Sequence, residues 1–138
     1  MEFKLNIGDP KSGKTHKKDL SADESKELMG IKIGDKVKGD KIGFLGYEFE
    51  MTGGSDFAGF PMRKDVSGTT RKRILIVSGV GTRHKRKGTR LRRNVAGNTV
   101  FAKTAQINLK VIKAGKGPLV PVEEAPVKGA DAPAEKKE

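Results

Sequence analysis

Glycine sets the scale of anything this chain can fold into. Eighteen glycines spread along 138 residues leave short pieces between them, which favours brief strands joined by turns over long helices. Core material is limited as well. Hydrophobic residues make up 34% and charged residues 33%, with no Trp, one Tyr and six Phe, so Val, Ile, Leu and Phe must build most of the interior. A chain of this length forms one domain, able to bury roughly two thirds of the surface its unfolded form exposes.

The pieces between glycines carry readable periods. Phe3 to Ile7 alternates apolar and polar residues, the signature of a half-buried strand, and Thr15 to Leu20 can return as its hairpin partner. Ser21 and Glu24 have capping-box spacing, which predicts a short helix to about Met29, closed by Gly30. Tyr47 to Thr52 alternates again, and Gly53-Gly54-Ser55-Asp56 reads as the turn after it, followed by a loop from Phe57 to Met62. Ile74 to Val77 is a continuous apolar run, which makes Arg71 to Ser78 the candidate central strand. Gly79 to Arg93 reads as a basic loop, and Val95 to Phe101 and Thr104 to Lys113 as two further strands, the last placing Ile107, Leu109 and Val111 on one face. The expected fold is mostly β: a small antiparallel barrel or sandwich-like sheet over residues 1–118, with one short helix. From about Leu119 the sequence turns to Pro, Ala, Glu and Lys, a composition that predicts a disordered, flexible tail over 119–138.

Charge is distributed unevenly. The net charge is +12, yet between Asp65 and Glu123 there is no acidic residue, and the 57 residues from Val66 to Val122 carry 14 Lys and Arg. The rest of the chain holds 15 basic and 17 acidic residues. Such segregation suits a face that meets a polyanion. The N-terminus lacks a signal-peptide pattern, no stretch approaches the roughly twenty apolar residues of a membrane span, and there is no cysteine for a disulfide framework. A soluble, cytoplasmic protein is expected, with no membrane partner.

Gly8-Asp9-Pro10-Lys11-Ser12-Gly13-Lys14-Thr15 satisfies the Walker A pattern of phosphate-binding loops. That chemistry also requires the loop to open a helix whose amides cradle the phosphates, and a strand ending in an Asp that holds Mg²⁺. His16 to Leu20 has no helical periodicity, and Ile74 to Val77 ends in Ser78-Gly79. A glycine-rich hairpin loop is therefore expected, compatible with Lys11 and Lys14 touching RNA phosphate. The two histidines, His16 and His84, sit among Lys and Arg, which disfavours a metal by repulsion. No nucleophile motif is visible. The expectation is a protein without enzymatic activity, cofactor or small-molecule substrate.

The candidate binding residues are Arg71, Lys72 and Arg73, then Arg83, His84, Lys85, Arg86, Lys87, Arg90, Arg92 and Arg93. Arginine offers a planar fork to phosphate and lysine a mobile point charge. With no amphipathic recognition helix, RNA read by backbone and shape is favoured over a DNA groove. A free nucleic-acid-binding regulator or chromatin protein is the alternative, although the dimerising face or recognition helix expected of one is missing.

At these residues the sequence resembles the archaeal and eukaryotic small-subunit ribosomal protein "six" family. Thr52-Gly53-Gly54-Ser55-Asp56-Phe57-Ala58-Gly59-Phe60-Pro61-Met62 is similar to its signature loop, and Arg71 to Gly79 followed by Gly88 to Gly97 to its second block. Lys4 to Ile7 and Ile107 to Ile112 also match, so the resemblance covers roughly residues 1–118. It implies a small antiparallel β-barrel bound to small-subunit ribosomal RNA beside other ribosomal proteins. Arg83 to Arg93 would be the main contact segment, and residues 53–62 a shaped loop against the barrel or the RNA. Phe57 and Phe60 would pack in that loop or stack on an unpaired base. Eukaryotic members continue into a long basic helical extension ending in phosphorylated serines; this chain stops in a short mixed-charge tail, so those features do not carry over, and its length fits the archaeal form.

Overall fold

A computed structural model of the chain describes residues 3–82, 86, 88–115 and 119. Strand β1 (Lys4–Gly8) buries Leu5 and Ile7, and β2 (Thr15–Asp19) pairs with it antiparallel, with Lys17 opposite Asn6. Helix α1 (Ala22–Glu27) starts at a complete capping box, with Ser21 accepting from the Glu24 amide and Glu24 accepting from Ser21. Gly30, at φ +83°, takes the chain out of the following turn in a conformation that side chains disfavour. Strand β3 (Lys36–Lys38) leads through a 3₁₀ turn into β4 (Glu48–Asp56). Then come β5 (Lys72–Ile76), β6 (Leu91–Val95) and β7 (Thr104–Lys113).

Five strands form one sheet in the order β2-β1-β7-β4-β3, and β5 and β6 form a separate antiparallel ribbon. The main core lies on one face of the sheet. Leu5, Ile7, Phe49, Met51, Ile107, Leu109 and Val111 are its inward residues, closed over by Leu20, Leu28, Ile42 and Val100. Phe49 stacks on Tyr47 at 5.8 Å and meets Phe44 edge-on at 5.9 Å. Burying a side chain of that size fully contributes about 1.5–3 kcal/mol. A second, smaller cluster of Val66, Ile76 and Val95 anchors the ribbon.

The fold is mostly β with one short helix, as expected, but four expectations change. Among the described residues the sheet does not close into an antiparallel barrel. Its edges are β2, which is wholly polar, and β3, which is three residues long with a lysine at each end, and such edges resist further pairing. One pair, β1 with β7, is parallel. Most of the chain serves as the crossover between these two strands, which a local turn could not make.

Gly53 to Asp56 is not a turn, since β4 runs through it with register shifts against β7. Gly54 permits this by its size: a Cβ there would lie 2.3 Å from the Gln106 carbonyl oxygen. The chain turns one residue later, where Gly59 at φ +80° lies in the loop.

Ile74 to Val77 is not in a central strand; that position belongs to β7. In the ribbon, Ile74 and Ile76 face the small cluster while Leu75 and Val77 are exposed. A continuous apolar run does not distinguish two buried faces from one. Finally, the strand expected at Val95 to Phe101 is shifted. Leu91 to Val95 is the strand, and residues 96 and 99 make only isolated bridges.

Candidate nucleic-acid interface

Most basic residues of the large sheet sit beside acids. Lys4 pairs in register with Asp19, Lys36 and Lys110 with Glu50, and Lys38 and Lys113 with Glu48. Lys18 is 2.8 Å from Glu24, which also caps α1, and that lysine holds the Glu24 carboxyl below its usual range. Cross-strand pairs of opposite charge stabilise a sheet modestly and leave little net field.

The ribbon differs. Its register sets Lys72 opposite Val95, Arg73 opposite Asn94, Ile74 opposite Arg93 and Leu75 opposite Arg92. Strand alternation therefore puts Arg73, Leu75, Arg92 and Asn94 on one face. Lys72, Arg73, Arg90, Arg92 and Arg93 are all exposed, as is Arg86 in the connection. None of them has an ion-pair partner among the described residues. Arg83, His84, Lys85 and Lys87 lie outside the described residues. The basic stretch expected as loop from Gly79 to Arg93 is thus partly strand: Leu91 pairs in register with Ile76, and Arg92 and Arg93 continue the ladder opposite Leu75 and Ile74.

Arg71 stands apart from the other candidates. Its Nε donates to Asp56, whose side chain is only 1% exposed, and its guanidinium lies 4.8 Å from the Phe57 ring and 5.1 Å from the Phe60 ring. The hydrogen bond to Asp56 raises its already high pKa further. This arginine braces the 57–62 loop against the base of the ribbon. Arg63 makes a second brace. It donates to the carbonyls of Ser78 and Val80 and pairs with Asp65, fixing the chain as it leaves β5. Sequence reasoning missed Asp56 and Arg63, since nothing in a lone carboxylate or arginine announces a partner fifteen residues away.

The Walker-like string forms the tip of the β1–β2 hairpin. The amides of Lys11 and Ser12 donate to the Asp9 carboxylate, and that of Gly13 to the Asp9 carbonyl. The Lys11 amide bond lowers the Asp9 pKa. Amides that would cradle a phosphate are already turned inward on the loop's own acid, and β2 follows in place of a helix. Among the described residues no group of three His, Cys, Asp or Glu could hold a metal, and no helix is long and apolar enough to cross a membrane.

Comparison with known proteins agrees across nearly the whole chain. A family model described as Ribosomal protein S6e matches residues 3–124. A protein of Archaeoglobus fulgidus named small ribosomal subunit protein eS6 is 43% identical over 120 residues, which cover 86% of this chain and 93% of the relative. Its namesake from Methanothermobacter thermautotrophicus is 43% identical over 119 residues, covering 86% and 93% respectively. That from Methanococcus maripaludis is 41% identical over 119 residues, covering 86% and 94%.

Proposed function

The chain belongs to the ribosomal protein S6e family, and from that premise we propose that it is a structural constituent of the small ribosomal subunit that binds ribosomal RNA through the β5–β6 ribbon. The observation that carries the RNA contact is the contrast in charge pairing. Lysines of the sheet stand beside acids, whereas Lys72, Arg73, Arg90, Arg92 and Arg93 project from the ribbon without one. Unpaired, exposed arginines on a separate two-stranded element suit phosphate, which they grip by paired N–H groups. Arg86 and the neighbouring Arg83, His84, Lys85 and Lys87 extend the same positive segment in sequence. Arg71 serves as a positioning residue, holding the loop of residues 57–62 against the ribbon.

In this reading the protein acts by binding alone, without cofactor or small-molecule substrate, in the cytoplasm as part of the ribosome. Residues 1–118 are then the folded domain and 119–138 an appended tail. Leu119 packs against the main core, and residues 120–138, where the flexible tail is expected, lie outside the described residues. Neighbouring ribosomal proteins are further partners. Gradient fractionation of a cell lysate tests the reading: the chain should sediment with small subunits and with whole ribosomes, and high salt should strip it only partly. Recovery solely among free soluble proteins would favour a free nucleic-acid-binding regulator.

A further inference from the structure

A cavity of about 310 Å³ opens between the loop of residues 57–61 and the ribbon, lined by Phe60, Pro61, Arg73, Arg92, Arg93 and Asn94. We propose that this cavity receives one unstacked nucleotide of the bound RNA, with its base against Phe60 and Asn94 and its phosphate among the arginines. The inference rests on the ribbon being the RNA-binding element.

Size is the first argument. Small-molecule sites run from roughly 300 to 1,000 Å³, so this cavity fits a single nucleotide and excludes a helix. Charge is the second. Three of the lining residues are arginines, of which Arg73 and Arg92 share the face of Asn94 while Arg93 lies on the other face of the ribbon. None of the lining residues is acidic, and none of the arginines has an ion-pair partner among the described residues. The Asp56 carboxylate at the base of the loop is paired with Arg71. The remaining lining residues supply what a base needs. The Asn94 carboxamide offers donors and an acceptor and has no side-chain partner among the described residues, while Phe60 offers an aromatic ring for stacking.

The site is also held in shape before any ligand arrives. Asp56 N–H donates to the Phe60 carbonyl at 2.9 Å, and Ala96 N–H to the Pro61 carbonyl at 2.9 Å, so the loop is stitched to both β4 and the chain beyond β6. Arg71 restrains the Phe60 ring from 5.1 Å. At Gly81, φ is +89° and a Cβ would come 3.3 Å from Pro61 Cγ, so the chain leaving β5 can press against the loop. A preformed pocket loses less ordering entropy on binding than a mobile one.

The test uses the full chain and two RNA hairpins that differ only at one bulged position, which carries either adenine or no base. Fluorescence anisotropy should show the adenine hairpin bound roughly tenfold or more tightly, as base–aromatic stacking would give. Asn94→Ala, an exposed substitution, should shrink that preference, and so should Phe60→Leu, with circular dichroism as the folding control. Tight, salt-dependent binding that is equal for the two hairpins would overturn the pocket and leave the ribbon assignment standing. Binding of neither hairpin would overturn both.

Discussion

Arg71 Nε donates to the carboxylate of Asp56, which is buried at the end of β4, and so joins the main sheet to the base of the ribbon. The same guanidinium lies against Phe57 and Phe60. Removing the arginine would leave a buried carboxylate without a counter-charge, which costs more than the pair itself contributes. Arg71→Ala should therefore lower the melting temperature by several degrees. The double variant Asp56→Asn, Arg71→Ala should regain part of the loss, because the uncompensated charge is gone. The Phe57 amide also donates to Asp56 at 2.6 Å. A double variant that melts lower than Arg71→Ala alone would mean that this bond, and not the pairing with Arg71, is what the carboxylate contributes, and the brace would be misassigned.

Adjacent glycines in β4 should respond very differently to a methyl group. At Gly54 a Cβ would meet the Gln106 carbonyl oxygen at 2.3 Å and Met62 Sδ at 3.0 Å, whereas at Gly53 nothing lies within 4 Å. Gly54→Ala must push two paired strands apart, an overpacking cost of about 1–3 kcal/mol. Gly53→Ala should change stability by less than about 1 kcal/mol. Urea denaturation of the two single variants decides it, and similar midpoints would rule out the close approach at Gly54.

The pH dependence of the capping box follows from Glu24. Its carboxyl is held below the ordinary 4.5, chiefly by Lys18, with Ser21 adding hydrogen bonds and burial opposing. A carboxyl with a depressed folded pKa stabilises the protein above its unfolded pKa, and loses that contribution as pH falls through the folded value. Glu24→Gln keeps a side chain able to complete the capping box and removes only the charge. At pH 7 the variant should be less stable by under about 1 kcal/mol, since the pair is partly exposed. Below the carboxylate range the two proteins should converge. A difference that stays constant from pH 7 to pH 3 would show that charge plays no part.

The hairpin reading of Gly8 to Thr15 predicts indifference to nucleotides. A ligand present at a hundred times its dissociation constant stabilises a protein by about 2.7 kcal/mol, an effect readily seen in a melt. Millimolar Mg-ATP should leave the melting temperature unchanged, and Lys14→Ala should abolish no turnover. ATP hydrolysis that disappears in Lys14→Ala would mean the loop amides release Asp9 to take up phosphate.

Local structure was legible wherever one period and one cap acted together. The β1–β2 hairpin, the Ser21–Glu24 cap and the full length of β7 follow from alternation and turn chemistry alone. Pairing was not legible. Nothing in Lys4 to Gly8 reveals that its second neighbour is the last strand, met in parallel, because pairing with a distant strand leaves no trace in local pattern. Glycine misled at 53–54, where it marks a close approach of backbones and not a turn. At the interface, the sign and location of the charge were plain from composition. The division of labour was not: Arg71 looks like Arg73 in sequence, and only the distant Asp56 separates a brace from a free cation.

Where affinity resides is the last expectation. If the ribbon arginines contact RNA phosphate, each neutralised phosphate releases condensed counterion, and the log of the binding constant falls with log salt by about 0.7–0.9 per contact. Replacing Arg90, Arg92 and Arg93 together by Ala should weaken binding to a small-subunit RNA fragment and flatten that slope, by up to roughly two to three units if all three touch phosphate. Lys26, Lys36 and Lys38 serve as the comparison. They are exposed too, but Lys26 pairs with Asp23, and Lys36 and Lys38 lie in register with Glu50 and Glu48, so their replacement by Ala should flatten the slope much less. Both triple variants should fold, since all six side chains are exposed and none belongs to either hydrophobic cluster. Circular dichroism verifies folding, and a salt titration of binding supplies the slopes. Equal losses from the two triples would mean that net charge acts diffusely, and the ribbon would lose its claim to be the binding element.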